Sequence, residues 1–219
     1  MTTLAAFHTK VSTEIRRGTT FDTNIPDKVQ QAVAWIEGLH TFKHMEHYAN
    51  LTIDSALASP RAIPLPTGFK SMKSWRIVNS DGSYSNINKV EYYDVSKVDL
   101  AKPTAYWQDG MDYFWLDNTP DQNYLTEMAY VGLTILPTDT SQSPYVTNNF
   151  EALILAQTLI LMAPLLRSPE IVALYKPQRD ELMKAAIDQD VEAREAGSSG
   201  DSMEYGAEFK EEINANNSN

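Results

Sequence analysis

The sequence predicts an α+β protein: a helical bundle of N- and C-terminal helices, an antiparallel β-sheet or sandwich inserted between them, and an extended C-terminal tail. Three observations carry this expectation. Apolar residues recur at helical spacing on both sides of the chain, and a proline-marked, β-branched stretch with Asp-Gly turns lies between them. An acidic segment then follows a Gly-Ser-Ser-Gly run. The expected division is 1–50 for the first helices, 51–138 for the β domain, 139–196 for the last helices and 197–219 for the tail.

In the first block Leu4, Phe7, Val11 and Ile15 repeat at helical spacing, and Arg16, Arg17 and Gly18 close the segment. Asn24-Ile25-Pro26-Asp27 opens a second helix, because proline suits a first turn where its missing N–H has no partner to lose. Val29, Val33, Ile36, Phe42 and Tyr48 continue the apolar stripe, with Glu37 and Glu46 on the polar side. The second block contains Pro60, Pro64, Pro66, Pro103, Pro120 and Pro137, which excludes one long helix. Trp75–Asn79 and Tyr84–Val90 flank Ser80-Asp81-Gly82-Ser83 as a hairpin. Tyr106–Gln108 and Tyr113–Leu116 do the same around Asp109-Gly110. Tyr124–Leu136 reads as a core strand, and five or six strands are expected in all.

The third block begins after Ser143-Pro144. Phe150–Leu166 is apolar nearly all round, shorter than the roughly 20 residues a membrane span needs, and contains Glu151 and Pro164. It is expected as a helix surrounded by other helices, not as a membrane segment. Ser168-Pro169-Glu170 caps a further helix whose stripe is Ile171, Leu174, Tyr175, Leu182, Ala186 and Val191, with a kink expected at Pro177. Gly197-Ser198-Ser199-Gly200 reads as a linker, and Asp201–Asn219 mixes acids with Met203, Tyr205, Phe209 and Ile213.

With 219 residues, 42% of them hydrophobic, the chain can bury a real core. It has no cysteine, so disulfides and thiolate metal sites are excluded. The start, MTTLAAFHTK, has neither a basic leader nor an apolar run, so secretion is not expected. The net charge is −11, and from Asp188 onward nine acids face Arg194 and Lys210 alone, a local −7. Such a protein does not condense on phosphate backbones, since that affinity comes from Lys and Arg.

Four groups of residues have the make-up of a possible chemical or binding site. His40, His44 and His47, at steps of four and three on a predicted helix, form the one metal-like cluster, with Glu37 or Glu46 as an added ligand. They lack the HExxH order of a zinc hydrolase, and Phe42, Met45 and Tyr48 around them suit a packing or interface face. His8 has no recognisable catalytic partner, and no Gly-x-Ser-x-Gly elbow or glycine-rich phosphate loop occurs. Asp109 with Asp112, and Asp117 with Asp121, flank turns, where aspartate commonly bonds its own backbone. The aromatics Trp75, Trp107, Trp115, Tyr106, Tyr113 and Phe114 suit a sandwich core or subunit interface. A stacking platform for glycan or peptide is the alternative. No catalytic residue, cofactor or metal is expected.

Several local signatures, spread from about Leu4 to Glu195, resemble one family. They are the opening helix ending near Arg17-Gly18, the Trp35-Ile36 helix, and Ile63-Pro64-Leu65-Pro66 before Phe69-Lys70-Ser71-Met72. Lys102–Trp107, Tyr113–Leu116, Met128-Ala129-Tyr130 and Thr147-Asn148-Asn149-Phe150 complete them. In this order they resemble the head-to-tail adaptor (connector) proteins of tailed bacteriophages, in the group with a sheet domain inserted in a helical body. The resemblance implies a structural virion protein, made in the host cytoplasm and placed at the capsid–tail junction. It implies a homo-oligomeric ring of about a dozen copies, bound under the portal protein and docking a tail, nozzle or neck protein. DNA would pass through its channel without specific binding. It also implies that the tail reaches the portal, with Met203, Tyr205, Phe209 and Ile213 as portal-contact candidates. A standalone glycan- or peptide-binding module, or a metal-dependent hydrolase on the three histidines, are the alternatives.

Overall fold

The computed structural model describes residues 2–16, 20–57, 59, 61–91, 99–110 and 112–198. These fall into two compact units. One is formed by the residues up to Lys43 and from Pro137 onward, the other by His44–Leu136. The class is α+β, as the sequence predicts.

The first unit is helical. Helix α1, Leu4–Ile15, buries Leu4, Phe7, Val11 and Ile15, which lie on one face at steps of three and four. Its first-turn donors are satisfied by the Thr3 hydroxyl, which accepts from Ala6 N–H at 3.2 Å, and by the carbonyls of Gln142 and Thr140, which accept from Leu4 and Ala5 at 2.9 Å each. Helix α2, Ile25–Leu39, carries Pro26 in its first turn and buries Ile25, Val29, Ala32, Val33 and Ile36. The short α3, Tyr145–Asn149, leads into α4, Glu151–Leu166, which packs against α1, α2 and α3 and against the long α5, Pro169–Ser198. The all-round apolar run Phe150–Leu166 is thus a helix surrounded by helices. No helix of the described residues is long and apolar enough to cross a membrane. Helix α5 continues through Pro177.

One element differs from the sequence reading. The second helix does not carry the stripe on to Phe42 and Tyr48. It ends at Leu39, His40 is extended, Lys43–Met45 form a single 3₁₀ turn, and Glu46–Ile53 is strand β1. Gly38 weakens the helix end, and Tyr48, Thr52 and Ile53 favour a pleated strand. Phe42 and Met45 are buried through the turn, whereas Tyr48 is 68% exposed, so its helical phase was coincidental.

Among its described residues the second unit has eight strands, more than the five or six expected, because β1 and several short strands join the predicted hairpins. The others are β2 (Ala62–Pro64), β3 (Phe69–Val78), β4 (Tyr84–Asn86), β5 (Asn88–Lys89), β6 (Ala105–Asp109), β7 (Tyr113–Leu116) and β8 (Tyr124–Gly132). They form two sheets, ordered β1-β8-β3-β4 and β2-β7-β6-β5. Among the described residues every strand pair is antiparallel except β5 with β6. One apolar cluster draws on both sheets: Ile53, Trp75, Ile77, Tyr124 and Met128 from the first, Ile63, Tyr106, Phe114 and Leu116 from the second, with Ile87 beside them. That is the sandwich. Both predicted Asp-Gly turns hold their glycines at positive φ, 79° at Gly82 and 66° at Gly110. Gly68 is the tightest position. At φ 74° its carbonyl accepts from Leu133 N–H at 2.7 Å, and an added Cβ would stand 2.6 Å from the Leu133 carbonyl oxygen.

Candidate functional site

The three histidines stand on three different elements. His40 follows the last residue of α2, His44 lies in the 3₁₀ turn, and His47 is on β1, its ring 5.4 Å from that of Tyr130. The single helical face expected for them does not exist. Among the described residues no group of three or more His, Cys, Asp or Glu is placed to hold a metal ion. Exhaustive dialysis against EDTA is therefore expected to leave the melting temperature unchanged to within about 1 °C, since a structural metal would contribute many kcal/mol. A metal-dependent drop on chelation would restore the hydrolase alternative.

His40 instead belongs to a polar clasp inside the helical unit, centred on Asp190 of α5. The Asp190 carboxylate accepts from His40 Nε2 at 2.9 Å, from the Lys43 backbone N–H at 2.7 Å and from Arg194 Nε at 2.8 Å. Arg194 also donates from Nη2 to the Thr41 carbonyl at 2.9 Å. Burial alone would push the Asp190 carboxyl up, but the donors from Arg194, Lys43 and His40 outweigh it and hold it at about 2. The clasp ties α5 to the segment that leaves α2. Sequence reading counted Asp190 and Arg194 only as charges. Their spacing of four on one helix was the signal that they act as a pair.

The other candidates resolve into folding roles. Thr9, next to His8, donates its hydroxyl to the Ala5 carbonyl at 3.0 Å, and Ser12, one turn on, donates to the Asp22 carboxylate at 2.7 Å, so neither hydroxyl is paired with His8. His8 Nε2 is buried without a partner among the described residues, and burial pushes its imidazole below the usual range. Asp117 accepts from the Thr104 N–H and hydroxyl at 3.1 and 2.7 Å and from Asn118 N–H at 2.9 Å, and Asp121 accepts from the Tyr124 hydroxyl at 2.5 Å. The bond from Asn118 N–H is the local backbone contact expected of a turn aspartate, whereas Asp117 also reaches Thr104, 13 positions away, and Asp121 holds a side chain. Asp109 and Asp112 stand at either end of the β6–β7 turn.

The aromatics divide by strand parity. Trp75, Tyr106 and Phe114 point into the sandwich with ring centroids 5.2–5.4 Å apart. Trp107 and Trp115, opposite one another on β6 and β7, stack on the other face at 6.5 Å and 15°, with the Arg61 guanidinium 5.4 Å above Trp107. Trp107 is only 8% exposed, which leaves little open ring for a sugar. On the outward side of the first sheet, Tyr48, Leu125 and Tyr84 are 68%, 45% and 50% exposed. Among them an Arg76–Glu127 ion pair at 2.7 Å joins β3 to β8.

In these residues the polar groups hold turns and helices together, and Tyr48, Leu125 and Tyr84 leave aromatic and aliphatic surface exposed. Residues 2–203 match the family model for SU10 adaptor protein, so the chain belongs to that family. The family is one of bacteriophage head-to-tail adaptors, structural and typically without enzymatic activity, and membership implies interaction with portal and tail proteins at the capsid–tail junction. No curated protein matches the chain. The portal-contact candidates Met203, Tyr205, Phe209 and Ile213, the linker residues Ser199 and Gly200, and Arg17 and Gly18 lie outside the described residues.

Proposed function

We propose that this chain is the repeating subunit of a ring, of about a dozen copies, seated beneath the capsid portal. The ring extends the DNA channel and presents its far side to the tail or neck. The observation that carries the reading is the adaptor-family match across residues 2–203. Two properties support it. Exposed Tyr48, Tyr84 and Leu125 supply apolar surface of the kind subunit contacts use. The net charge of −11 has the sign that repels phosphate, which suits a conduit that DNA passes without sticking.

Negative-stain electron microscopy of the purified protein mixed with portal rings of its own phage tests this. Added density on the tail-facing side of the portal, with the portal's own rotational axis, is the expected result. Portal rings that stay bare at saturating adaptor concentration would refute it.

A further inference from the structure

Among the described residues the two sheets have four edges between them, and three are blunted against further pairing. Strand β2 has three residues and ends in Pro64, which has no N–H to offer. Strand β5 has two residues. Strand β4 has three, and the part of β3 beyond it is broken by register shifts between Phe69 and Ser71 and between Met72 and Ser74. Short strands, proline and bulges are the usual means of blunting an edge.

Strand β1 uses none of them. It has eight residues, contains neither proline nor lysine, and pairs with β8 in unbroken register from Glu46 to Ile53. Among the described residues, the backbone of His47–Ile53 bonds to β8 alone, through the ladder and through the Thr126 hydroxyl, which donates to the Leu51 carbonyl at 2.9 Å. The N–H and C=O groups on its other side therefore form a row open to another strand. Ala49 and Leu51 pack against the sandwich core from this edge and stay partly exposed, so the edge has an apolar margin as well.

The sequence holds a segment that fits it. Met203, Tyr205, Ala207 and Phe209 alternate with Ser202, Glu204, Gly206, Glu208 and Lys210, a period of two over nearly the same length as β1. We propose that residues 202–210 of one copy add as a strand to β1 of another copy, laying the apolar face over Ala49 and Leu51 and the charged face toward Tyr48, Asn50 and Thr52. This rests on the ring reading above. An arm and an edge are different surfaces, so each copy gives one and receives one, which is the heterologous contact that closes a ring. Met203, Tyr205 and Phe209 then touch a neighbouring copy, not the portal.

Hydrogen–deuterium exchange of the full chain decides it, measured on dilute protein, on adaptor rings isolated with their portal from virions, and on both again with Ala207→Pro. Proline removes a donor from the arm and alters no residue of the described helices and strands, which end at Ser198. The outward amides of His47–Ile53 are expected to exchange roughly tenfold or more slowly in the ring than in the dilute chain, and to lose that protection in Ala207→Pro. Equal protection in the dilute chain would place the arm on its own copy and overturn the exchange between copies. Open β1 amides beside a protected 202–210 segment would give the arm to the portal. Protection that survives Ala207→Pro would give the edge to some other strand. Virions in which no ring is found would sink the ring reading, and this contact with it.

Discussion

Phe114→Ala is expected to destabilise the β-sandwich by about 4 kcal/mol, the largest effect of any single truncation considered for this chain. Phe114 is fully buried on β7, between Ile63 of β2 and Gln108 of β6 in register. Its ring meets Phe69 at 5.0 Å and both Trp75 and Tyr106 at 5.4 Å. It thus joins the core residues of both sheets, and no single neighbour can collapse into the space it leaves. Part of the expected loss is transfer free energy of the ring, and part is the cavity that rigid aromatic neighbours cannot close. Phe114→Leu, which retains much of the volume, should lose only about 1–2 kcal/mol. Urea unfolding followed by tryptophan fluorescence reads this directly, because Trp75, Trp107 and Trp115 all lie in this unit. Because the helical unit carries Trp35, a second transition in the same trace would report it separately. An Ala variant within 1 kcal/mol of wild type would mean that the two sheets do not share this core.

Asp190→Ala should be nearly as damaging to the helical unit, costing about 3 kcal/mol. It removes the acceptor for three donors at once, and the Lys43 N–H, which bonds Asp190 at 2.7 Å, then loses that acceptor. The same group makes stability depend on pH with a definite sign. Its carboxyl is held at about 2 against 3.8 for the free group. The folded state therefore favours the ionised form, by about 2 kcal/mol at 1.36 kcal/mol per pH unit. That contribution is fully present above about pH 4 and is lost as pH falls toward about 2. Asp190→Asn cannot ionise. The stability gap between wild type and Asp190→Asn, followed by circular dichroism during denaturation, should be wide at pH 6 and shrink steadily between pH 4 and pH 2. A gap that stays constant with pH would show that the Asp190 charge contributes nothing and that the clasp works through shape alone.

Much of this architecture could be read from the residues, and the failures share a cause. Helices α1, α4 and α5 and the two Asp-Gly hairpins were legible because each has a local signature. These are a repeat at steps of three and four, an all-round apolar run with caps, and a turn that only glycine occupies easily. Strand β1 was missed because Phe42 and Tyr48 continue the phase of α2 by accident. The competing preference of Tyr48, Thr52 and Ile53 for a pleated surface shows its force only once β8 is alongside. The short strands β2 and β5 have too few residues for any period to emerge. For the same reason the histidine cluster looked better in sequence than in space, since its spacing presupposed a helix that stops at Leu39. The Asp190 clasp needed both ends of the helical unit in hand, because Thr41 and Arg194 are 153 positions apart. The free edge of β1 was invisible for as long as β1 itself was.

A reconstruction of the intact virion, focused on the vertex through which the genome leaves, tests the central claim most directly. The account predicts copies of this fold in a closed ring against the portal, with their helices and sandwiches repeating around the DNA axis. Density at that vertex that cannot hold this fold, or the same fold found in the shell or at the distal end of the tail, would contradict it.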